Sequence, residues 1–156
     1  MHIDFYTFLQ LLIVSITATS TMTLFSYAVS KNFRELYKEP VLLSLVLSKL
    51  KLETAPKTEN VLGWILHYII GFLFVLAYHF LWSHNILPVS ILSALLLGSI
   101  SGIIGILGWM LIFKLSNHKP SIDFKGYYIQ LFLAHVIFGL TATAVYALSL
   151  TTLILA

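Results

Sequence analysis

Four long apolar segments, near 5–29, 60–82, 87–115 and 126–156, constrain this chain more than anything else in it. A helix needs about 20 apolar residues to cross a bilayer, and each segment supplies them. Inside hydrocarbon every backbone N–H and C=O must be bonded within the segment, so the segments are expected to be helices. The expected fold is an all-α membrane protein of four transmembrane helices in a single domain spanning residues 1–156. Composition agrees: 59% of residues are hydrophobic and 10% charged, against about 25% charged in a soluble domain. The first segment is the most polar, with Ser15, Thr17, Thr19, Ser20, Thr21, Thr23 and Ser26. Such hydroxyls bond to helix carbonyls or across to neighbouring helices, so a span remains the reading. It has no basic stretch before it and no small-x-small cleavage signal, which argues against a signal peptide.

The nine Lys and Arg fall in two places. Lys31, Arg34, Lys38, Lys49, Lys51 and Lys57 lie between the first and second segments, and Lys114, Lys119 and Lys125 lie around the link between the third and fourth. The positive-inside rule then puts both basic loops in the cytoplasm and both termini outside. Charge so placed serves orientation and lipid headgroups, not nucleic acid. Trp64 and Trp82 bracket the second segment and Trp109 lies near the basic end of the third, the positions of interfacial anchors. Tyr127 and Tyr128 read as part of the same belt. There is no cysteine, hence no disulfide and no thiolate chemistry.

The first basic loop holds an apolar run too short to cross, 40–52. Glu39 is placed to cap a helix with Pro40 at its first position. Ser44, Ser48 and Lys51 recur at helical spacing, so a short cytoplasmic interfacial helix is expected, with Lys49 and Lys51 toward headgroups. It either packs on the bundle or acts as a gate or docking element.

Two segments repeat one pattern. His67, Gly71 and Tyr78 have the spacing His-x3-Gly-x6-Tyr, and His135, Gly139 and Tyr146 have it again. Steps of four and eleven residues return to nearly the same helix face. Each triad is therefore a stripe on one helix, and both histidines lie in the half of the membrane nearer the basic loops. The glycines on the stripe permit close approach of a helix or a flat ligand. Gly98 and Gly102 on the third segment offer another close-packing face, either as a dimer seam or as a seat for the first span. The repeat implies two parallel hairpins related by a pseudo-twofold axis along the membrane normal.

The runs GWILHY-x2-G-x2-F and H-x2-FG-x6-Y, with ATSTMTLFSY followed by KEPVLL, resemble an uncharacterised family of small four-span bacterial inner-membrane proteins. The resemblance implies the fold and a multi-pass location in the inner membrane, and it implies no activity. A loosely similar set of inner-membrane proteins is tied to acid tolerance.

An ionisable side chain within a span needs a partner, a cavity or a ligand. Four readings are open for His67 and His135, with Tyr78 and Tyr146 on the same stripes. Their rings can be satisfied by hydroxyls and carbonyls of neighbouring helices as packing. They can line a polar path or cavity that relays or senses protons. They can be axial ligands of a haem b, making the protein an electron carrier, with Lys57 or Lys125 near the propionates. They can serve an enzyme acting on a lipid or quinone, although no acid–base–nucleophile set is visible. The expected function is a non-enzymatic bundle with a histidine-containing polar interior, acting in permeation, pH response or as a subunit of a membrane complex. Its partners are the lipid bilayer and a second copy or a larger complex. No metal site is expected, although His2, Asp4, His79 and His84 would share the outer face. His118 reads as a solvated loop residue.

Overall fold

The structure is a computed structural model that describes residues 4–49, 56–115 and 121–155, with side chains described over 4–47, 61–115 and 121–149. The described residues form five helices and no strand: α1 (Phe5–Phe33), α2 (Glu39–Lys49), α3 (Pro56–Ser83), α4 (Ile91–Leu115) and α5 (Phe124–Leu155). Four of them contain stretches long and apolar enough to cross a membrane, namely Phe5–Phe33, Val61–Ser83, Ile91–Leu115 and Phe124–Ser149. Large apolar side chains such as Ile13, Leu24, Ile65, Leu73, Ile103 and Leu107 stand exposed on their outward faces. An apolar surface this extensive is a lipid surface rather than a water surface.

The helix boundaries follow local chemistry. Asp4 caps α1, its carboxylate accepting the Thr7 N–H at 2.7 Å. That contact holds the Asp4 carboxyl below its ordinary range. At the other end Arg34 adopts the left-handed conformation (φ 55°) that closes many helices. α4 begins at Ile91, not near Leu87, because Ser90 caps it: Ser90 Oγ accepts the Ser93 N–H. Asp123 caps α5 in the same way through the Lys125 and Gly126 N–H groups, so this helix begins two residues before Gly126.

Helix α1 packs against α3 and α5, α4 packs against α5, and α2 packs against α3, whereas α3 and α4 are not closely packed. The tightest seam is between α4 and α5. A side chain at Gly139 would lie 2.8 Å from the Gly98 Cα, and one at Gly98 would lie 2.8 Å from the Val136 Cα. Gly102 likewise faces Phe132. Gly98 and Gly102 therefore seat α5, neither of the two alternatives expected for them.

The aromatic residues depart from the belt expected at the span ends. Trp82 and Trp109 are buried, as is Tyr127, while Tyr128 is half-buried. Trp82 packs on Tyr146 with ring centroids 4.5 Å apart, and Trp109 packs on Phe113 at 5.0 Å. Only Trp64 of the three tryptophans is partly exposed, between Tyr27 and Tyr68. A residue's distance from a span end does not reveal which face of the helix it occupies, and these two tryptophans face inward.

Candidate functional site

The two histidines meet at one cavity. It has a volume of about 200 Å³ and is walled by α1, α3, α4 and α5, with α2 contributing Glu39 and Leu43. His67 and Gly71 come from α3 and His135 from α5. His67 is 6% exposed and His135 7%. The remaining members of the stripes lie elsewhere. Gly139 is in the seam with α4. Tyr78 bonds Ser101 of α4 at 2.6 Å. Tyr146 bonds Nδ1 of His79 at 2.9 Å. On this side of the cavity Tyr78, Trp82, Phe138 and Tyr146 form an aromatic layer, with Tyr78 stacked edge-on to both Trp82 and Phe138.

The hydrogen-bond network fixes how each imidazole presents itself. The Thr23 hydroxyl donates its one proton to the Thr19 carbonyl at 2.7 Å. The 2.9 Å contact between Thr23 Oγ1 and His67 Nε2 must then run from the ring N–H to the hydroxyl. A neutral His67 is left with Nδ1 as an acceptor. His135 Nδ1 lies 2.8 Å from the Leu131 carbonyl, which can only accept. Its Nε2 is therefore the acceptor, and it lies beside Gly105 of α4.

Glu39 is the member of the site that sequence reasoning missed. It is the first residue of α2 and 2% exposed. Rather than capping α2 at the surface, its carboxylate turns into the bundle. Oε1 accepts from Ser26 Oγ of α1 at 2.8 Å and from Gln130 Nε2 of α5 at 3.3 Å. Burial pushes its pKa from 4.5 up to about 7, against the lowering pull of its own backbone N–H, Ser26 and Gln130. Glu39 Oε2 and Thr19 Oγ1, both on residues lining the cavity, have no hydrogen-bond partner. The signal in the sequence was a lone acid opening an apolar run. A carboxylate there must either reach solvent or be folded in with its helix.

α2 reaches this position through a close approach to α3. A side chain at Gly63 would lie 2.6 Å from the Pro40 carbonyl oxygen. The preceding turn is tied down by Ser30, whose hydroxyl donates to the Glu35 carbonyl, and by Tyr37, which reaches Asp123 at the start of α5. Burial, with the Asp123 and Glu35 charges, raises the Tyr37 pKa. Lys38 lies over the Tyr27 ring, 4.8 Å from its centroid.

The arrangement does not fit a haem. Nε2 of His67 is turned to Thr23 on α1, and Nε2 of His135 faces Gly105 on α4. The cavity is below the ~300–1,000 Å³ of pockets for drug-sized ligands, and a porphyrin is at least that large. Lys125 is exposed, and Lys57 lies outside the described side chains. Among the described residues no three His, Asp or Glu converge as metal ligands do. His79 points inward to Tyr146, while exposed His84 bonds the Phe80 carbonyl. His2, His118, Lys51 and Lys119, and the side chains of Ser48 and Lys49, also lie outside what is described.

Fold and site define a helical bundle of the integral-membrane class. No protein-family model, curated protein or solved structure matches this chain.

Proposed function

We propose that this chain is a non-enzymatic, proton-responsive bundle of a bacterial inner membrane, with both termini outside and α2 on the cytoplasmic face. The distribution of Lys and Arg supports that orientation. A duplicated hairpin accounts for the two stripes. His67 and Gly71 lie against Thr23 and Thr19 of α1, and His135 and Gly139 lie against Gly105 and Gly98 of α4. The non-catalytic reading rests on proton direction, since His67 donates to Thr23 and so cannot act as its base.

The observation that carries the reading is the burial of Glu39, which belongs to a short helix outside the spans. With a pKa near 7 its charge changes at neutral pH. Protonated, it sits among Ser26 and Tyr27 of α1 and Tyr127 and Gln130 of α5, with His67 and His135 on the same cavity. Ionised, it places a carboxylate where burial withholds water from it, and α2 is loosened. This reading is preferred to permeation because the aromatic layer beside the cavity interrupts a polar path.

The test uses the absence of native cysteine. Leu43→Cys puts a thiol on the buried face of α2. Its maleimide labelling in nanodiscs is followed from pH 6 to pH 8, beside the same substitution in a Glu39→Gln background. The expected result is a steeper rise with pH when Glu39 is present. Superimposable profiles would overturn the reading.

A further inference from the structure

The cavity has a side opening. Its lining includes exposed Ile70 of α3 and exposed Ile104 and Gly108 of α4, which stand on the two spans that are not closely packed. A side chain at Gly108 would meet no atom within 4 Å. The mouth therefore faces the hydrocarbon of the bilayer. Behind it the walls are apolar, from Met22, Leu43, Phe74, Ile112, Leu131 and Phe138.

The polar groups behind that mouth are unbalanced. His67 Nδ1 and His135 Nε2 are acceptors once their other nitrogens have donated to Thr23 and Leu131. Glu39 Oε2 adds a polar oxygen without a partner. Thr19 Oγ1 is likewise without a partner and is able to donate or accept. Buried polar atoms are normally paired, and each one left over marks a place where something else is bound or a cost is borne. What satisfies a surplus of acceptors is a molecule that brings donors. Size narrows the class further. A cavity of about 150 Å³ holds one benzene ring, and this one, at about 200 Å³, holds one substituted ring. Any longer chain on that ring must leave through the mouth into lipid.

We propose that this cavity binds the head of a lipophilic phenol or hydroquinone, entered sideways from the bilayer between α3 and α4, with the ring hydroxyl donating to His135 Nε2 and, in a hydroquinone, the second hydroxyl donating to His67 Nδ1. The site reads the donor proton and not the ring alone. An ether of the same shape fills the cavity but leaves His135 Nε2 unpaired. The mouth and both accepting nitrogens belong to α3, α4 and α5, while Glu39 and Leu43 of α2 complete the lining.

The experiment measures binding of radiolabelled 4-decylphenol to the protein in nanodiscs, with empty nanodiscs subtracted, beside 4-decylanisole, which lacks the donor. Saturable binding of the phenol at one per chain is expected, with the anisole about tenfold weaker or not saturable. Gly108→Phe fills the mouth where the fold leaves space and is expected to weaken phenol binding at least tenfold. Its folding is checked by thermal melting. Should it misfold, Ile104→Trp, at an exposed position on the same mouth, replaces it. His135→Phe is expected to bring the phenol down to the affinity of the anisole. No saturable phenol binding overturns the proposal. So does equal binding of phenol and anisole, or a folded mouth variant that binds as the wild type does.

Discussion

The two ends of this bundle treat buried polarity in opposite ways. At the end away from the basic loops, Tyr78 is paired with Ser101 and Tyr146 with His79, and Trp82 Nε1 is the one buried polar atom without a partner among those described there. At the basic end, Glu39 Oε2, Tyr127 OH and Gln130 Oε1 have none, and Thr19 Oγ1 lacks one midway, beside Gly71. A satisfied network holds helices in register. An unsatisfied one borders the cavity and α2, so the same polar residue types are paired at one end and left without partners at the other.

The largest expected effect comes from Glu39. Burial raises its pKa from 4.5 to about 7. Below about 4.5 the folded and unfolded chains both carry the proton and no penalty is felt. Above about 7 the folded chain encloses a carboxylate. Stability is therefore expected to fall as pH rises through this window, by on the order of 3 kcal/mol. Melting in detergent as a function of pH checks this, and Glu39→Gln is expected to flatten the curve. A stability that instead rises with pH across the window would break the comparison at its most exposed point.

The two stripes give a second contrast. Alanine at Gly139 would place its Cβ 2.6 Å from the Ala94 carbonyl oxygen and 2.8 Å from the Gly98 Cα. Backbone cannot move aside cheaply, so a loss of about 1–3 kcal/mol is expected. Alanine at Gly71 meets the Thr19 hydroxyl, an end that can rotate away. Its cost is expected to stay below about 1 kcal/mol. Chemical denaturation of the two variants side by side reads the difference.

The smallest effects decide the polar comparison directly. Tyr146→Phe removes the partner of buried His79 Nδ1 and is expected to cost about 1–2 kcal/mol. Tyr127→Phe removes a hydroxyl that has no partner and is expected to be neutral or to stabilise by up to about 1 kcal/mol. If the melting temperatures of both variants fall equally, the ends do not differ.

Hydropathy and length made the four spans legible, because the bilayer accepts few other solutions. The paired histidines were legible as residues that need an explanation. Their partners were not. Spacing places His67 and Tyr78 on one stripe, but the neighbour decides what each meets: α1 for His67, α4 for Tyr78. Trp82 and Trp109 had the sequence positions of anchors and are core residues, since a span boundary says nothing about azimuth around the helix. Glu39 was hidden for a different reason. It lies outside every span in sequence and is carried inward by an 11-residue helix whose docking is a tertiary event.

Five residues, 34–38, join α1 to α2. Fully extended they reach about 18 Å. Under the proposed response, an α2 released from its seat on α3 would roam only a small volume, where a short tether keeps it at an effective concentration in the millimolar range. Its return is a unimolecular step, independent of how much protein the membrane holds. A free peptide copying α2 would need comparable millimolar amounts to take its place.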